Sequence, residues 1–161
     1  AFLVAAGLMQ VPAGLLSRRY GARALSLAGA GLLGAASLGC AWAPSFDALL
    51  VLRAAAGTGA ALFFSPAIGL VAGLYPEGKR GLPLGSFTTA FSAGAALGVF
   101  GSALLVSATS WPVAFLAGGA GLLALTVIAV VTIPKSVGGP TLRPANEESR
   151  RAVRDVLRSP A

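Results

Sequence analysis

Long uncharged, apolar runs dominate this sequence. No Asp, Glu, Lys or Arg occurs in 1–17, 24–46, 54–76 or 81–134. A helix that crosses the hydrocarbon core of a bilayer needs about 20 mostly apolar residues, so the first three runs each suit one helix and the last run suits two. We place the turn between those two at Ser107–Pro112, because the stretch is polar and proline is favoured at helix starts.

The pattern therefore predicts an all-α fold, a polytopic bundle of transmembrane helices. Five spans are expected, at about 1–17, 24–43, 48–75, 82–107 and 112–133, so that 1–135 forms the bundle. The remaining residues, 136–161, are expected to form a cytoplasmic linker with a short amphipathic helix. That helix either lies on the inner leaflet of the membrane or is a solvated linker helix.

Composition supports a membrane protein and excludes other classes. Hydrophobic residues make up 56% of the 161 residues and charged residues 11%, with a mean hydropathy of +0.83. A soluble domain carries about 25% charged residues, and one of this size could not bury so much apolar surface. Because the chain has no His and one Cys, we expect no metal site and no disulfide framework. No cofactor is expected.

The basic residues predict which way the helices run. Eleven of the twelve Lys and Arg lie in 18–23, 79–80 and 135–158, which fall on one side of the predicted membrane. The two opposite loops, around 44–47 and 110, carry none. Cytoplasmic loops are rich in Lys and Arg, so we expect this side to be cytoplasmic in a cell (inner) membrane. The net charge of +7 then implies membrane lipids as partners and no nucleic acid.

One stretch, Gly29–Gly34, formally matches the glycine pattern of dinucleotide-binding sites. That pattern needs a strand before it and a helix after it, whereas here it lies in the middle of an apolar span. We therefore predict that these glycines serve helix packing. The sequence has no Ser/His/Asp set, paired carboxylates or phosphate-binding loop, and no acidic residue lies mid-span, so an enzyme is not expected.

Arg53 is the one charged residue inside a predicted span. It lies about five residues, or roughly 8 Å, from the outer end of its span. A charge at this depth needs water, a partner or a cavity. Two alternatives stay open: Arg53 lines a solute or proton path, or it extends to the outer headgroups. Gln10 and Thr58 are further polar residues within spans.

A stripe of small residues recurs every four positions in the fourth span: Ser86, Ala90, Gly94, Gly98 and Ser102. Such a stripe lets another helix approach closely. We interpret it as a static packing surface, and the alternative is a surface that slides during function.

Several stretches of the sequence resemble patterns of the major facilitator superfamily. Residues 10–23 look like the signature loop between its second and third helices, with Arg18 in place of the usual Asp. Residues 53–61 are similar to its fourth-helix pattern, with Ala56 in place of Gln. Residues 75–81 resemble the short basic loop before its fifth helix, and residues 110–115 resemble the entry to its sixth helix. The fifth-helix antiporter pattern is only echoed, since Val99 stands where the pattern has Pro.

The resemblance implies a fragment of a secondary transporter. The five spans would be helices two to six plus the central loop, and the missing first helix and C-terminal half of the same protein would be partners. The family works by alternating access between two halves, which implies a small-molecule solute and, with Arg53, proton coupling. The residues implied for the path are Arg53, Gly57, Gln10 and Thr58; for the gating loop, Gly14, Arg18, Arg19, Gly21 and Arg23; for helix packing, Gly94, Gly98 and Ser102.

Two other functions remain as alternatives. The chain could be a polytopic membrane module with a signalling or assembly role. The second alternative is a membrane-embedded enzyme, which the lack of His and of mid-span acids disfavours.

Overall fold

The computed structural model describes residues 1–134 and residue 138, so the predicted linker helix within 136–161 lies outside the described residues. The described part contains five α-helices and no strand, which confirms the all-α prediction. The α-helices are α1 Phe2–Tyr20, α2 Ala22–Cys40, α3 Phe46–Leu74, α4 Gly81–Ala108 and α5 Trp111–Thr132, and a short 3-10 turn, Glu77–Lys79, joins α3 to α4.

Four of these helices, α2 to α5, are long and apolar enough to cross a membrane. The first helix, α1, is not among them. Its 19 residues include the Arg18–Arg19 pair and Gln10, which lower its mean hydropathy. The crossing of the membrane by α1 therefore stays a prediction.

The helix boundaries follow from local chemistry. Ser45 precedes α3 in an extended conformation, and its hydroxyl accepts a hydrogen bond from the backbone N–H of Ala48, which is how an N-cap satisfies an unpaired donor. Pro112 lies in the first turn of α5 as predicted. Gly21 separates α1 from α2 with a φ of 88°, a conformation that glycine adopts without strain.

The second helix, α2, lies at the centre of the bundle. It packs on one side against α3 and on the other against α5, while α1 packs chiefly against α3. The helix α2 is antiparallel to α3, since Gly29 lies beside Phe63 and Gly39 lies beside Leu52. It is antiparallel to α5 as well, since Gly34 lies beside Leu123 and Leu38 lies beside Gly119. The fourth helix, α4, lies at the margin and touches α3 through ring contacts of Phe64 with two aromatic side chains of α4.

The buried core consists almost entirely of small residues. Its apolar members are Ala13, Leu25, Ala30, Ala36, Cys40, Ala56, Ala61 and Ala67. The large apolar side chains lie mostly on the outside, and α4 has no buried residue at all. This distribution is the reverse of that in a soluble domain, and it suits a protein whose surroundings are lipid.

Glycines place the helix backbones in direct contact. A Cβ atom on Gly29 would lie 2.5 Å from the backbone nitrogen of Phe63 and 2.7 Å from the carbonyl oxygen of Gly59. A Cβ atom on Gly119 would lie 2.8 Å from the backbone nitrogen of Leu38 and 2.9 Å from the carbonyl oxygen of Gly34. These distances leave no room for a side chain at either crossing.

The predicted packing role of the Gly29–Gly34 stretch is thus confirmed. Gly29 makes the crossing with α3 and Gly34 makes the crossing with α5, where a Cβ atom would lie 2.8 Å from Leu123. Gly31, between them, has open space around it. The two glycines therefore let α2 contact a different helix on each side.

We predict that Gly29→Ala destabilises the protein, because the new methyl group would overlap the α3 backbone. Overpacking of this kind costs about 1–3 kcal/mol. Gly31→Ala, in the same helix, is the matched control and should be neutral or slightly stabilising, since alanine is the better helix former. Thermal unfolding of the full-length protein in detergent measures both. Equal unfolding midpoints for the two variants would contradict the assignment.

Candidate functional site

Arg53 lies in the N-terminal half of α3 and is half-buried. Its guanidinium carbon lies 4.2 Å from the centroid of the Phe115 ring, well within the range of a cation–π interaction. Among the described residues, Arg53 forms no hydrogen bond or ion pair. The described helices therefore hold this cation by an aromatic face and supply no carboxylate to neutralise it.

The ring beneath Arg53 belongs to a pair of aromatics at the start of α5. Trp111 and Phe115 are four residues apart, and their rings meet edge to face with centroids 6.0 Å apart and planes at 82°. Edge-to-face geometry is favourable for aromatic pairs. The Phe115 ring thus has Trp111 at one side and the guanidinium of Arg53 over its face.

The other predicted path residues do not converge on Arg53. Gly57 is buried, and a Cβ atom there would overlap the carbonyl oxygen of Phe2, so it permits the crossing of α1 and α3. The hydroxyl of Thr58 donates to the carbonyl of Ala54 at 3.1 Å, a bond within its own helix. The structure gives both residues local roles, and their part in a solute path stays a prediction.

Gln10 lies exposed in the middle of α1. Because Gly14 lies beside Ser65 and Phe2 lies beside Gly57, α1 and α3 run parallel, and Gln10 is level with the middle of α3. That level is about two helical turns, or roughly 12 Å, from Arg53. The described structure therefore does not bring Gln10 and Arg53 together.

Four of the five residues of the predicted gating loop fall into two groups. Arg18 and Arg19 are exposed at the end of α1, and Arg19 lies with its guanidinium carbon 5.5 Å from the centroid of the Tyr20 ring. Gly21 is buried in the turn, and Gly14 faces the hydroxyl of Ser65 across the α1–α3 contact. Their role in gating stays a prediction.

Arg23 is different, because it binds the end of a distant helix. Its Nε and Nη2 atoms donate to the carbonyl of Ile133 at 3.0 and 2.8 Å, and Nη2 also donates to the carbonyl of Val130 at 3.0 Å. These carbonyls belong to the last turn of α5, where no intrahelical donor remains for them. Arg23 therefore acts as a charged cap on the C-terminus of α5.

The position of Arg23 explains this contact. It is the second residue of α2, where the positive end of the helix dipole disfavours a cation. The C-terminal end of α5, by contrast, attracts a cation. The long side chain of Arg23 therefore leaves its own helix end and reaches the opposite end of its neighbour, which fixes the α2–α5 pair at the basic side of the bundle.

The stripe of small residues on α4 is exposed at each of its five positions among the described residues. Gly94 and Gly98 are exposed, and a Cβ atom on either would have nothing within 4 Å. Ser102 is exposed as well, and its hydroxyl donates to the carbonyl of Val99 at 3.0 Å. The predicted packing contact of this stripe can thus only be with a helix outside the described residues, and there it stays a prediction.

The sequence pattern of the Major Facilitator Superfamily matches residues 1–161, the whole of this chain. The chain belongs to the major facilitator superfamily. This confirms the resemblance seen in the loop after α1 and in α3, and the family together with the four long apolar helices shows a membrane-embedded protein. Membership of the superfamily points to a transporter rather than an enzyme.

The relatives of this chain are named as transporters or, in one case, as a resistance protein. The methylenomycin A resistance protein of Streptomyces coelicolor is 37% identical over 105 residues, covering 65% of this chain and 22% of that protein. The 4-hydroxybenzoate transporter of Pseudomonas aeruginosa is 33% identical over 144 residues, covering 89% and 32%. An uncharacterized MFS-type transporter of Mycobacterium tuberculosis is 31% identical over 111 residues, covering 69% and 19%. The chain thus spans about a fifth to a third of the length of these relatives.

In this member of the superfamily, sequence reasoning missed two contacts of the arginines. The Phe115 ring was part of a helix-start pattern, but nothing linked it to Arg53. A signal was present, since a cation inside an apolar span with no acid nearby needs an aromatic face or water. The link between Arg23 and α5 had no sequence signal, because the two segments are more than a hundred residues apart.

We predict that Arg23→Gln loosens the last turn of α5. Hydrogen bonds from a charged donor contribute about 1.5–3 kcal/mol, so backbone amides near Ile133 should exchange with solvent roughly tenfold faster or more. Arg19→Gln removes the same charge from an exposed arginine and is the matched control. Hydrogen exchange with mass spectrometry on the full-length protein measures both. Unchanged exchange in the Arg23 variant would rule out the cap.

Proposed function

We propose that this chain is part of a secondary active transporter that moves a small solute across the membrane by alternating access, coupled to protons. The match of the whole chain to the major facilitator superfamily carries this proposal. The partners proposed for it are membrane lipids, a small-molecule solute and the further helices of the same protein. The alternating-access mechanism is taken from the two-halved architecture of the superfamily.

Arg53 supports a transport role because its charge is energetically unfavourable within a membrane span. A cation within a membrane span costs several kcal/mol unless it is compensated, and a ring contact supplies only about 0.5–2 kcal/mol. The remaining compensation must come from water, solute or groups beyond the described residues. We propose that Arg53 lines the path of the solute or the proton.

We expect the full-length protein in proteoliposomes to take up solute in response to a pH gradient. The first probe is radiolabelled 4-hydroxybenzoate, the solute named for the Pseudomonas relative, and methylenomycin A is the second. A protonophore should abolish the effect of the gradient. Uptake that is independent of the pH gradient would contradict proton coupling. If the protein transports no solute from a wider panel, the result would favour the signalling or assembly alternative.

Substitutions at Arg53 test its part in transport. Arg53→Leu should abolish uptake while the protein still inserts, since it removes a charge that is unfavourable in the bilayer. Arg53→Lys keeps the charge but loses the planar fork of donors, and should retain part of the activity. Leu125, which is 64% exposed and far from Arg53 in α5, provides the control Leu125→Ala. Normal uptake by Arg53→Leu would make this residue an interfacial anchor.

We further propose that the basic end of the bundle faces the cytoplasm. This end carries Arg18, Arg19, Arg23, Lys79 and Arg80, whereas the opposite turns carry no Lys or Arg. In a full-length variant without other cysteines, Lys79→Cys should react with an impermeant maleimide only after the cells are opened. Pro44→Cys, in an opposite turn, should react in intact cells. Labelling of position 79 in intact cells would contradict this proposal and show that the basic end faces outward.

A further inference from the structure

We propose that Phe115 is a positioning residue for Arg53: its ring holds the guanidinium at one place in the outer half of the bundle without neutralising it. This role rests on the transport function proposed above, because it concerns how Arg53 is presented to the path. The observation that carries it is the 4.2 Å separation between the guanidinium carbon and the ring centroid.

The contact joins two helices that have little other contact. The third helix packs against α1 and α2, and the fifth packs against α2 and α4. With α2 between them, the side chain of Arg53 reaches past α2 to touch Phe115. The position of the cation therefore depends on where the outer end of α5 lies, as well as on α3.

An aromatic ring binds a guanidinium group in a different geometry from the one that a carboxylate uses. A carboxylate would pair with the N–H donors in the guanidinium plane and cancel its charge. An aromatic ring covers one face of the plane and leaves the five N–H donors at its edge. Among the described residues no acceptor uses those donors. Arg53 thus stays charged, oriented and able to bind an acceptor from the solute or from another helix.

The ring is itself held in place. Phe115 lies one turn after Trp111, and the edge-to-face contact between them fixes the ring at the start of α5. Pro112, in the same turn, restricts the backbone because its ring fixes its own φ. The position of the ring is therefore restricted, as a positioning role requires.

The first test compares Phe115→Leu with Phe115→Tyr in the uptake assay. Leucine is apolar but has no aromatic face, whereas tyrosine keeps one. We expect Phe115→Leu to lower uptake about threefold to tenfold, in line with the strength of cation–π contacts, and Phe115→Tyr to retain most of it. Phe100→Leu, at a residue of α4 that is 66% exposed, is the control. Equal uptake by the leucine and tyrosine variants would overturn the proposal.

The second test asks whether Phe115 acts through Arg53, and it needs no solute. Thermal unfolding of the full-length protein is measured for Phe115→Leu alone, Arg53→Leu alone and both together. If the ring acts through the cation, the leucine at 115 lowers the unfolding midpoint more where Arg53 is present than where it is absent, since only the loss of the Trp111 contact is common to both backgrounds. The same shift in both backgrounds would show that Phe115 merely fills space, and would overturn the proposal.

The two tests separate the possible failures. If the unchanged protein takes up no solute, the proposed function is wrong. The comparison of unfolding midpoints among the single and double variants still decides whether the ring holds Arg53. If uptake is normal but the two changes are additive, transport stands and the positioning role of Phe115 is lost.

Discussion

The close approach of helix backbones at glycines is the constraint on which the bundle depends. In lipid, apolar side chains gain little by turning inward, so helices must associate through tight van der Waals contact and a few polar bonds. The central helix α2 meets this requirement twice, with Gly29 against α3 and Gly34 against Gly119 of α5. A partly buried hydrogen bond from the Ser26 hydroxyl to the carbonyl of Phe63, at 3.3 Å, lies beside the first crossing.

These crossings place Arg23 and Arg53 where their side chains can contact α5. The middle of α5 is fixed by Gly119, its C-terminal end by Arg23 and its N-terminal end by the contact of Phe115 with Arg53. The two arginines use opposite features of the helix. One binds backbone carbonyls that carry the negative end of the helix dipole, and the other rests on the negative face of an aromatic ring. Without the backbone crossings, neither side chain could reach its partner.

The candidate site was predictable in part. Arg53 could be found because a charge inside a long apolar run is rare and conspicuous. The family could be recognised from the loop after α1 and from the pattern around Arg53, since both are short local motifs. Gly57 and Thr58 were assigned to the path by the same motif, and the structure shows that one packs against α1 and the other bonds its own helix. A motif gives the position of a residue along a helix but not what the residue faces.

The sequence by itself determined the helical class, the helix boundaries to within a few residues and the gathering of basic residues at one end. These properties depend on local apolar length, on capping residues such as Ser45 and on charge order along the chain, all of which can be counted without coordinates. Only the tertiary structure decided which glycines make contact. Gly29 and Gly98 both belong to stretches rich in small residues, yet the first touches α3 and the second touches nothing among the described residues. The partners of Arg23 and Phe115 were decided in the same way, because contact between distant segments depends on how the helices cross, and local spacing does not contain that information.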